Sequence, residues 1–468
     1  MTIAEGKAKR QNRTITLHLG NTLADYEKNY LSEGGIEALI EKVEIADSLN
    51  WGCLATGHQA ECPRQLRFTH HDSYSRWAKH FNGCQSAVII YRVRCLECQA
   101  VFSVQPAWLI RYKRYETDAT EKLMTLLFIT EDSYRMAGVS QALGSDTEQA
   151  GTWVALADTQ ALAIAPRALW GLVQWLGQLS PAQLNLALGV DPPQYIIEDE
   201  KHTSQSGQKS YIPLIYAPTE ALIWWVDYIH TVSEEELTAS LQRFKAISDR
   251  LHQISGATVD GWEAAQNALK TAFQGIDLAE CHFHALLKLG QHLATYKRQR
   301  KQLNRPVSEA EEIDIRAAFW RVLKAPTPEE YQRALDELPQ AFDLEPLASR
   351  KHSLLEKQAL FQAWTTDHNL AVVTTALDQC MKFLNRKLDN MQTFHTKSSG
   401  LATVNAWAIT RNCWRFLKGA IRAGLSPLEL AGADFLGIPW LQLVNLILSA
   451  WPSLPFSAQA LQPKHIIL

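Results

Sequence analysis

The sequence predicts a multidomain protein of mixed α and β structure, α+β or α/β in class, built around one mixed sheet that carries acidic residues. Three observations predict it. A chain of 468 residues exceeds what one hydrophobic core serves, so about three domains are expected. Between residues 193 and 289, three strand-like runs precede an alternation of helix and strand, and the first and fourth runs end in carboxylates. Residues 290–370 are strongly helical and free of strand signals.

Composition narrows the class. Hydrophobic residues at 46% and charged residues at 20% describe an ordinary globular chain and argue against global disorder. A net charge of -3 gives no overall attraction to nucleic acid, so DNA binding must come from local basic surface. Basic runs occur at 7–10, 111–114, 297–301 and 411–422, each in isolation reading as a solvated helix face. No apolar stretch reaches the ~20 residues of a membrane span, and the polar amino terminus lacks the apolar core of a secretory signal, so a cytoplasmic location is expected. Eight cysteines in so long a chain are not a disulfide framework; they read as packing residues or metal ligands.

Residues 1–45 form a polar extension with one amphipathic helical stretch, broken at Gly34-Gly35. In the next region, 46–115, the alternating run 87–94 leads into Cys95-Leu-Glu-Cys98. Two thiolates at that spacing can face one tetrahedral ion, so a zinc-ribbon-like region is expected, with Cys62 and Cys84 as the other candidate ligands of a structural Zn2+. Cys53, His58, His70 and His71 compete for those places, and a reduced structural pair is the plain alternative. Residues 116–192 read as short helices, a pattern that suits a helix-turn-helix-like DNA-binding region and equally any small helical bundle.

The segment 193–289 is the most ordered text. Strands at 195–201, 209–217 and 221–229 are followed by a helix that Ser233-Glu-Glu-Glu236 opens as a capping box and that runs to about 254. A short strand at 256–260, a helix at 262–273, a strand at 276–281 and a helix from near 283 complete it. This is the order of a ribonuclease H-like mixed sheet, in which the first and fourth strands are neighbours. Asp199 and Asp260 would then project side by side, and strand alternation puts Asp199 on the face opposite Glu198 and Glu200, leaving those two as surrounding or solvent groups.

A helical insertion at 290–370 separates these strands from a closing helix within 371–400, where Asp378, Lys382 and Arg386 stand at i, i+4 and i+8. Asp199, Asp260 and Asp378 form a candidate carboxylate triad for two divalent ions, Mg2+ or Mn2+, catalysing phosphoryl transfer. Lys382 and Arg386 would face DNA phosphates. The region 401–468 is helical: Trp407, Trp414, Phe416, Leu417 and Ile421 make an apolar stripe suited to core packing, while Arg411, Arg415, Lys418 and Arg422 share that helix and could contact DNA. A buried helix is expected at 440–448.

These motifs resemble the DDE-type transposases of bacterial insertion sequences over about residues 50–450. Asp199-Glu-Lys-His202 with Gly207 is similar to their first-aspartate motif, and Thr258-Val-Asp260-Gly-Trp262 with Gln266 to their second. Cys281-His-Phe-His284 is similar to the C-x-x-H that follows in several such families, a pair read here as structural, since only two ligands are visible. The third motif departs: Thr374-Thr-Ala-Leu-Asp378 lacks the family's asparagine and carries aspartate for glutamate. Thr403-Val-Asn405, Glu356 and Glu429 are its rivals; Asp378 is preferred for its cationic helix face and for the stretch Met391-Gln-Thr-Phe-His395 that follows. The resemblance implies metal-dependent strand cleavage and strand transfer at the ends of an insertion sequence. It further implies DNA partners (terminal inverted repeats and target), Lys201 and His202 near the phosphates, and a homodimer in the synaptic complex. A catalytically decayed, DNA-binding descendant and a ribonuclease H-like nuclease are the alternatives.

Overall fold

The computed structural model describes residues 14–48, 67–80, 85–97, 99–129, 165–391, 393–416 and 422–450. It is a mixed α+β structure with two mixed sheets, and the chain divides into two units, Met1–Val190 with Asn405–Leu468, and Asp191–Val404.

The first unit begins with β1 (Thr14–Leu17), α1 (Leu23–Tyr30) and α2 (Gly35–Ser48), followed by β2 (Phe68–Lys79), β3 (Gln85–Cys95) and β4 (Val101–Pro106). The sheet order is β1-β4-β3-β2; β2 and β3 form a long antiparallel hairpin, and β1 joins β4 in parallel. Thr22 and Asp25 cap α1 reciprocally, each side chain taking the other's backbone N–H. Tyr26, Leu39, Val43, Val88, Ile90, Phe102 and Trp108 fill the core between helices and sheet. Strand β1 is unforeseen because four residues in polar text give no periodicity to read. Of the candidate zinc ligands, Cys95 is buried, while Cys62, Cys84 and Cys98 lie outside the described residues. Helices α3 (Thr117–Phe128), α4 (Pro166–Leu176) and α5 (Pro181–Ala187) follow; residues 130–164 of the predicted helix-turn-helix-like region lie outside the described residues.

The second unit opens with β5 (Tyr195–Gln205), β6 (Gln208–Ala217) and β7 (Leu222–Val226). Ser206 and Gly207 turn β5 into β6 with φ of 49° and 83°, the left-handed pair that a tight two-residue hairpin demands and that glycine adopts at least cost. Then come α6 (Glu234–Lys245), β8 (Gly256–Val259), α7 (Glu263–Ala272), β9 (Asp277–Glu280) and α8 (His282–Gln302). The sheet order is β7-β6-β5-β8-β9, antiparallel through β5 and parallel from β5 to β9. The predicted capping box on α6 is half formed. Ser233 accepts from the Glu236 N–H at 3.3 Å, but the Glu236 carboxylate takes the N–H groups of His230 (2.8 Å) and Thr231 (3.2 Å) instead. The helix stops at Lys245 and a 3₁₀ turn, Asp249–Gln253, replaces its expected last turns.

Between β9 and the end of the unit, α8 packs with α9 (Glu309–Leu323), α10 (Pro328–Asp336), α11 (Ala348–Glu356) and α12 (Gln358–Thr366) around Leu289, Phe319, Tyr331, Phe342 and Phe361. Ser308 and Thr327 cap α9 and α10 by accepting the N–H groups of Glu311 and Glu330. Helix α13 (Thr375–Met391) then runs toward the β5–β6 turn, and α14 (Lys397–Cys413) carries the chain back to the first unit. Because α14 ends at Cys413, Trp414, Arg415 and Phe416 do not share it, contrary to the predicted stripe; Leu417, Lys418 and Ile421 lie outside the described residues. Helices α15 (Pro427–Leu430) and α16 (Trp440–Ala450) finish the described chain. Among the described residues no helix is long and apolar enough to cross a membrane.

The insertion's core makes a direct prediction. Phe319 and Phe342 stack at 6.1 Å with their planes 11° apart, both buried. Phe342→Ala should lower unfolding stability by about 3–5 kcal/mol in urea denaturation, whereas Leu344→Ala, at a half-exposed position, should cost under about 1 kcal/mol.

Candidate metal centre

The parallel register of β5 and β8 places the first two acids. Ile196 pairs with Ala257 and Ile197 with Thr258, so two steps further along, just beyond the end of the ladder, Asp199 and Asp260 come abreast. Asp199 is 9% exposed and its Oδ1 accepts the N–H of Glu200 at 2.8 Å. Oδ1 of Asp260 accepts the Trp262 N–H at 2.8 Å, an Asx-type turn that starts α7. A Cβ at Gly261 would meet the Glu280 carboxylate and lie 2.5 Å from Lys288 Nζ, so a larger residue there requires those side-chain ends to shift.

Helix α13 is tied at both ends. The Thr258 hydroxyl donates to the Ala371 carbonyl at 2.6 Å, and the His282 N–H donates to the Val372 carbonyl at 3.1 Å. At the far end, Ser206 N–H donates to Phe394 O (2.9 Å) and Phe394 N–H to Ser204 O (3.1 Å). These ties bring Asp378, on the first turn of α13, to Asp199. One oxygen of each and a ring nitrogen of His284 all lie within 4.8 Å of one another. The structure therefore joins two of the three predicted acids to His284, with Asp260 beside them on the neighbouring strand.

His284 is held by its own helix start. Thr374 N–H donates to Cys281 Sγ at 3.2 Å, the Thr374 hydroxyl lies 3.3 Å from that sulfur and 3.2 Å from His284 Nδ1, and it donates to Asp378 Oδ2 at 3.5 Å. Cys281 and His284, read from sequence as a structural pair, thus form with Thr374 one hydrogen-bonded group. The hydrogen bond with Cys281, reinforced by the charges of Cys281, Asp199 and Asp378, raises the His284 imidazole to about 9 despite its burial. Burial, the largest influence on Cys281, pushes its thiol up, but bonds with His284 and Thr374 outweigh it and leave the group below its ordinary value.

The carboxylates are crowded. Burial and the Asp260 charge raise Asp199 to about 6, against the pull of His284. Burial, Asp260 and Asp199 raise Glu200 to about 8, and burial with the Glu200, Asp199 and Asp260 charges holds Glu198 well above the usual carboxylate range. Glu198 is only 3% exposed and β5 continues past it to Gln205, so of the two expected roles, surrounding or solvent group, the solvent one does not hold for Glu198. A second buried acid, Glu280 on β9, has its partner: Lys357 Nζ at 2.9 Å, with the Gln266 amide at 3.4 Å. That amide also reaches the Asp260 carbonyl at 3.4 Å, so the Glu280 cluster braces the Asp260 turn.

The predicted DNA-contacting residues separate. Lys382 and Arg386 are exposed on α13, Lys201 is half-buried, and His202 is exposed with its ring 5.0 Å from that of Tyr211. In the other unit, Arg415 forms a two-pronged ion pair with Glu429 (2.6 and 3.1 Å), and the Arg411 guanidinium lies 5.2 Å from the Phe416 ring, so both are engaged within that unit. Glu429 closes the capping box of α15, Glu356 pairs with His352 at 2.9 Å, and Asn405 is buried against the Gly177 carbonyl (3.2 Å); all three rivals of Asp378 are accounted for structurally. The role of His284 was missed because one histidine after a cysteine on a helix start also fits plain packing; its signal was the pairing with Thr374, which only the fold reveals.

Two carboxylates and an imidazole converging at a partly buried point fit a divalent cation: the acids repel without one, and the nitrogen donor tilts an otherwise hard oxygen set toward Mn2+. The imidazole proton and a bound ion are mutually exclusive, so metal binding at this centre releases protons.

The pH dependence follows with its sign. The folded-state value of Asp199, about 6, exceeds its ordinary 3.8, so its contribution to stability is complete below the lower value and is lost as pH rises through the upper. Glu200, at about 8 against 4.5, behaves alike, and His284 contributes stability that is present below 6.5 and lost as pH rises through about 9. With chelator present, Asp199→Asn should raise the denaturation midpoint at about pH 7.5 and leave it nearly unchanged at about pH 4; a variant less stable than its parent at the higher pH contradicts this. At Glu280, Lys357→Met should cost about 3–5 kcal/mol by stranding a buried charge, and adding Glu280→Gln should recover most of it, as measured by chemical denaturation.

A family described as a domain of unknown function (DUF6431) matches residues 60–139, which belong to the first unit. No curated protein matches the chain.

Proposed function

We propose that the chain is a DNA transposase of the DDE type, with a ribonuclease H-like catalytic unit that cleaves and transfers DNA strands at the ends of an insertion sequence. The observation that carries this reading is the meeting of Asp199, Asp378 and His284 beside Asp260. The 7-6-5-8-9 strand order, antiparallel and then parallel, and a helical insertion ahead of the last acid support the same reading. Asp199 and Asp378 would hold a divalent cation together with His284, whose coordinating nitrogen would have to be unprotonated. An ion held there would supply Lewis-acid stabilisation of the charge that builds on the oxygens of an in-line phosphoryl transfer. Asp260 adds negative charge next to Asp199, and Thr374 orients the imidazole. Lys382 and Arg386, exposed along α13, draw the DNA backbone toward the acids without reading its sequence, as do Lys201 and His202 on β5.

The test uses the DNA that flanks the chain's own gene, placed around a selectable marker, with excision and insertion scored in the presence of Mg2+ or Mn2+. Asp199→Asn, Asp260→Asn and Asp378→Ala should each reduce strand transfer by at least about a hundredfold while binding of the flanking DNA persists. Undiminished transfer by Asp199→Asn or Asp260→Asn refutes the assignment. The absence of the family's asparagine and glutamate around Asp378 favours one second reading, a decayed DNA-binding descendant, for which the unaltered chain binds its flanking DNA and transfers nothing.

A further inference from the structure

We infer that the first unit carries a binding track for single-stranded nucleic acid, formed by the β2–β3 hairpin and the turn at residues 111–114. The inference rests on that unit alone and holds whether or not the acidic centre is catalytic.

Two hollows of about 510 and 370 Å³ adjoin there and share Arg76 and Tyr112 in their walls. Five cations line them: Arg76, Arg92, Arg111, Lys113 and Arg114. Among the described residues neither lining contains a carboxylate. Arg92 does pair with Asp72 outside the hollows, but the Arg76 guanidinium donates to neutral acceptors, the Gln105 side chain at 2.7 Å and the carbonyls of Ile110 and Lys113, and Lys113 Nζ donates to the Gly171 carbonyl at 2.9 Å. Hydrogen bonds to neutral groups leave the charges of Arg76 and Lys113 in place, and with Arg111 and Arg114 alongside, the track attracts a polyanion.

Aromatic rings distinguish this surface from a plain basic patch. Trp77, Tyr112 and Tyr74 are 60%, 71% and 42% exposed, and all three border the same two hollows. Tyr112 sits at a φ of 60°, a conformation that favours glycine or asparagine. The bonds from Arg76 to the carbonyls on either side of it hold that turn in place, so the fold maintains an unfavourable backbone in order to present a ring outward. The Arg111 guanidinium lies 4.7 Å from the Tyr112 ring and donates to its hydroxyl at 2.7 Å, placing charge and stacking surface together. Exposed rings interleaved with guanidinium groups suit unpaired bases, whose faces are open, rather than a duplex, whose base faces are hidden.

The experiment is fluorescence anisotropy of the full chain with a labelled oligothymidylate of about 20 nucleotides, against a duplex of equal length and across a salt series. The single strand should bind more tightly than the duplex. Trp77→Ala and Tyr112→Ala should each weaken that binding about tenfold, while Trp77→Phe and Tyr112→Phe retain most of it, because the ring is what stacks. Arg114→Ala should lower the salt slope by about one. Leu303→Ala, 69% exposed in the other unit, should change nothing, and thermal melting checks that each variant is folded. Absence of binding, a preference for duplex, or full affinity in the Trp77→Ala/Tyr112→Ala double variant overturns the inference.

Discussion

The parallel pairing of β8 with β5 is the constraint on which the second unit depends. Side by side, the two inner strands bring Asp199 and Asp260 abreast of each other, and the same register turns the Thr258 hydroxyl onto the Ala371 carbonyl. That single bond sets where the chain re-enters after the insertion, and hence where the first turn of α13 places Asp378. Further out, β9 pairs Glu280 with Val259, and the ion pair of Glu280 with Lys357 links the sheet to the helix start at α12. A one-residue slip between β5 and β8 would reverse every side chain and scatter all of these groups.

Charge is the counterweight. Four carboxylates, from Glu198, Asp199 and Glu200 in the middle of β5 and Asp260 just past β8, crowd together, and their mutual repulsion together with burial keeps several of them prone to hold protons near neutrality. The protonated imidazole of His284 is the cation that the fold itself supplies. Such a centre is electrostatically incomplete by design: the proton on His284 balances part of the excess, and a doubly charged ion taking its place balances more.

Much of this was readable from residue order because period and punctuation agree there. The strand that carries the acids, the Ser206-Gly207 turn and the helix opening before Asp378 each give a clear local signal. Other features escaped for physical reasons. Burial of Glu198 depends on the sheet's neighbours, not on its own strand. The carboxylate of Glu236 chose two loop N–H groups over its own cap, a competition that local sequence does not rank. The end of α14 at Cys413 has no glycine or proline to announce it, and Arg415 turned to Glu429 because the chain bends back there. His284 joined the acids only through Thr374, a residue ninety positions away in sequence.

Helix α8 begins at the acidic centre, with His284 on its first turn, and continues into the insertion's core through Ala285, Leu289, Leu293 and Tyr296. The insertion is therefore not a detachable ornament: the helix that anchors its hydrophobic interior is also the mount of a site residue. The centre is also among the most non-local features of the unit: Asp199 and Asp378 stand 179 positions apart in sequence, with the whole insertion between them.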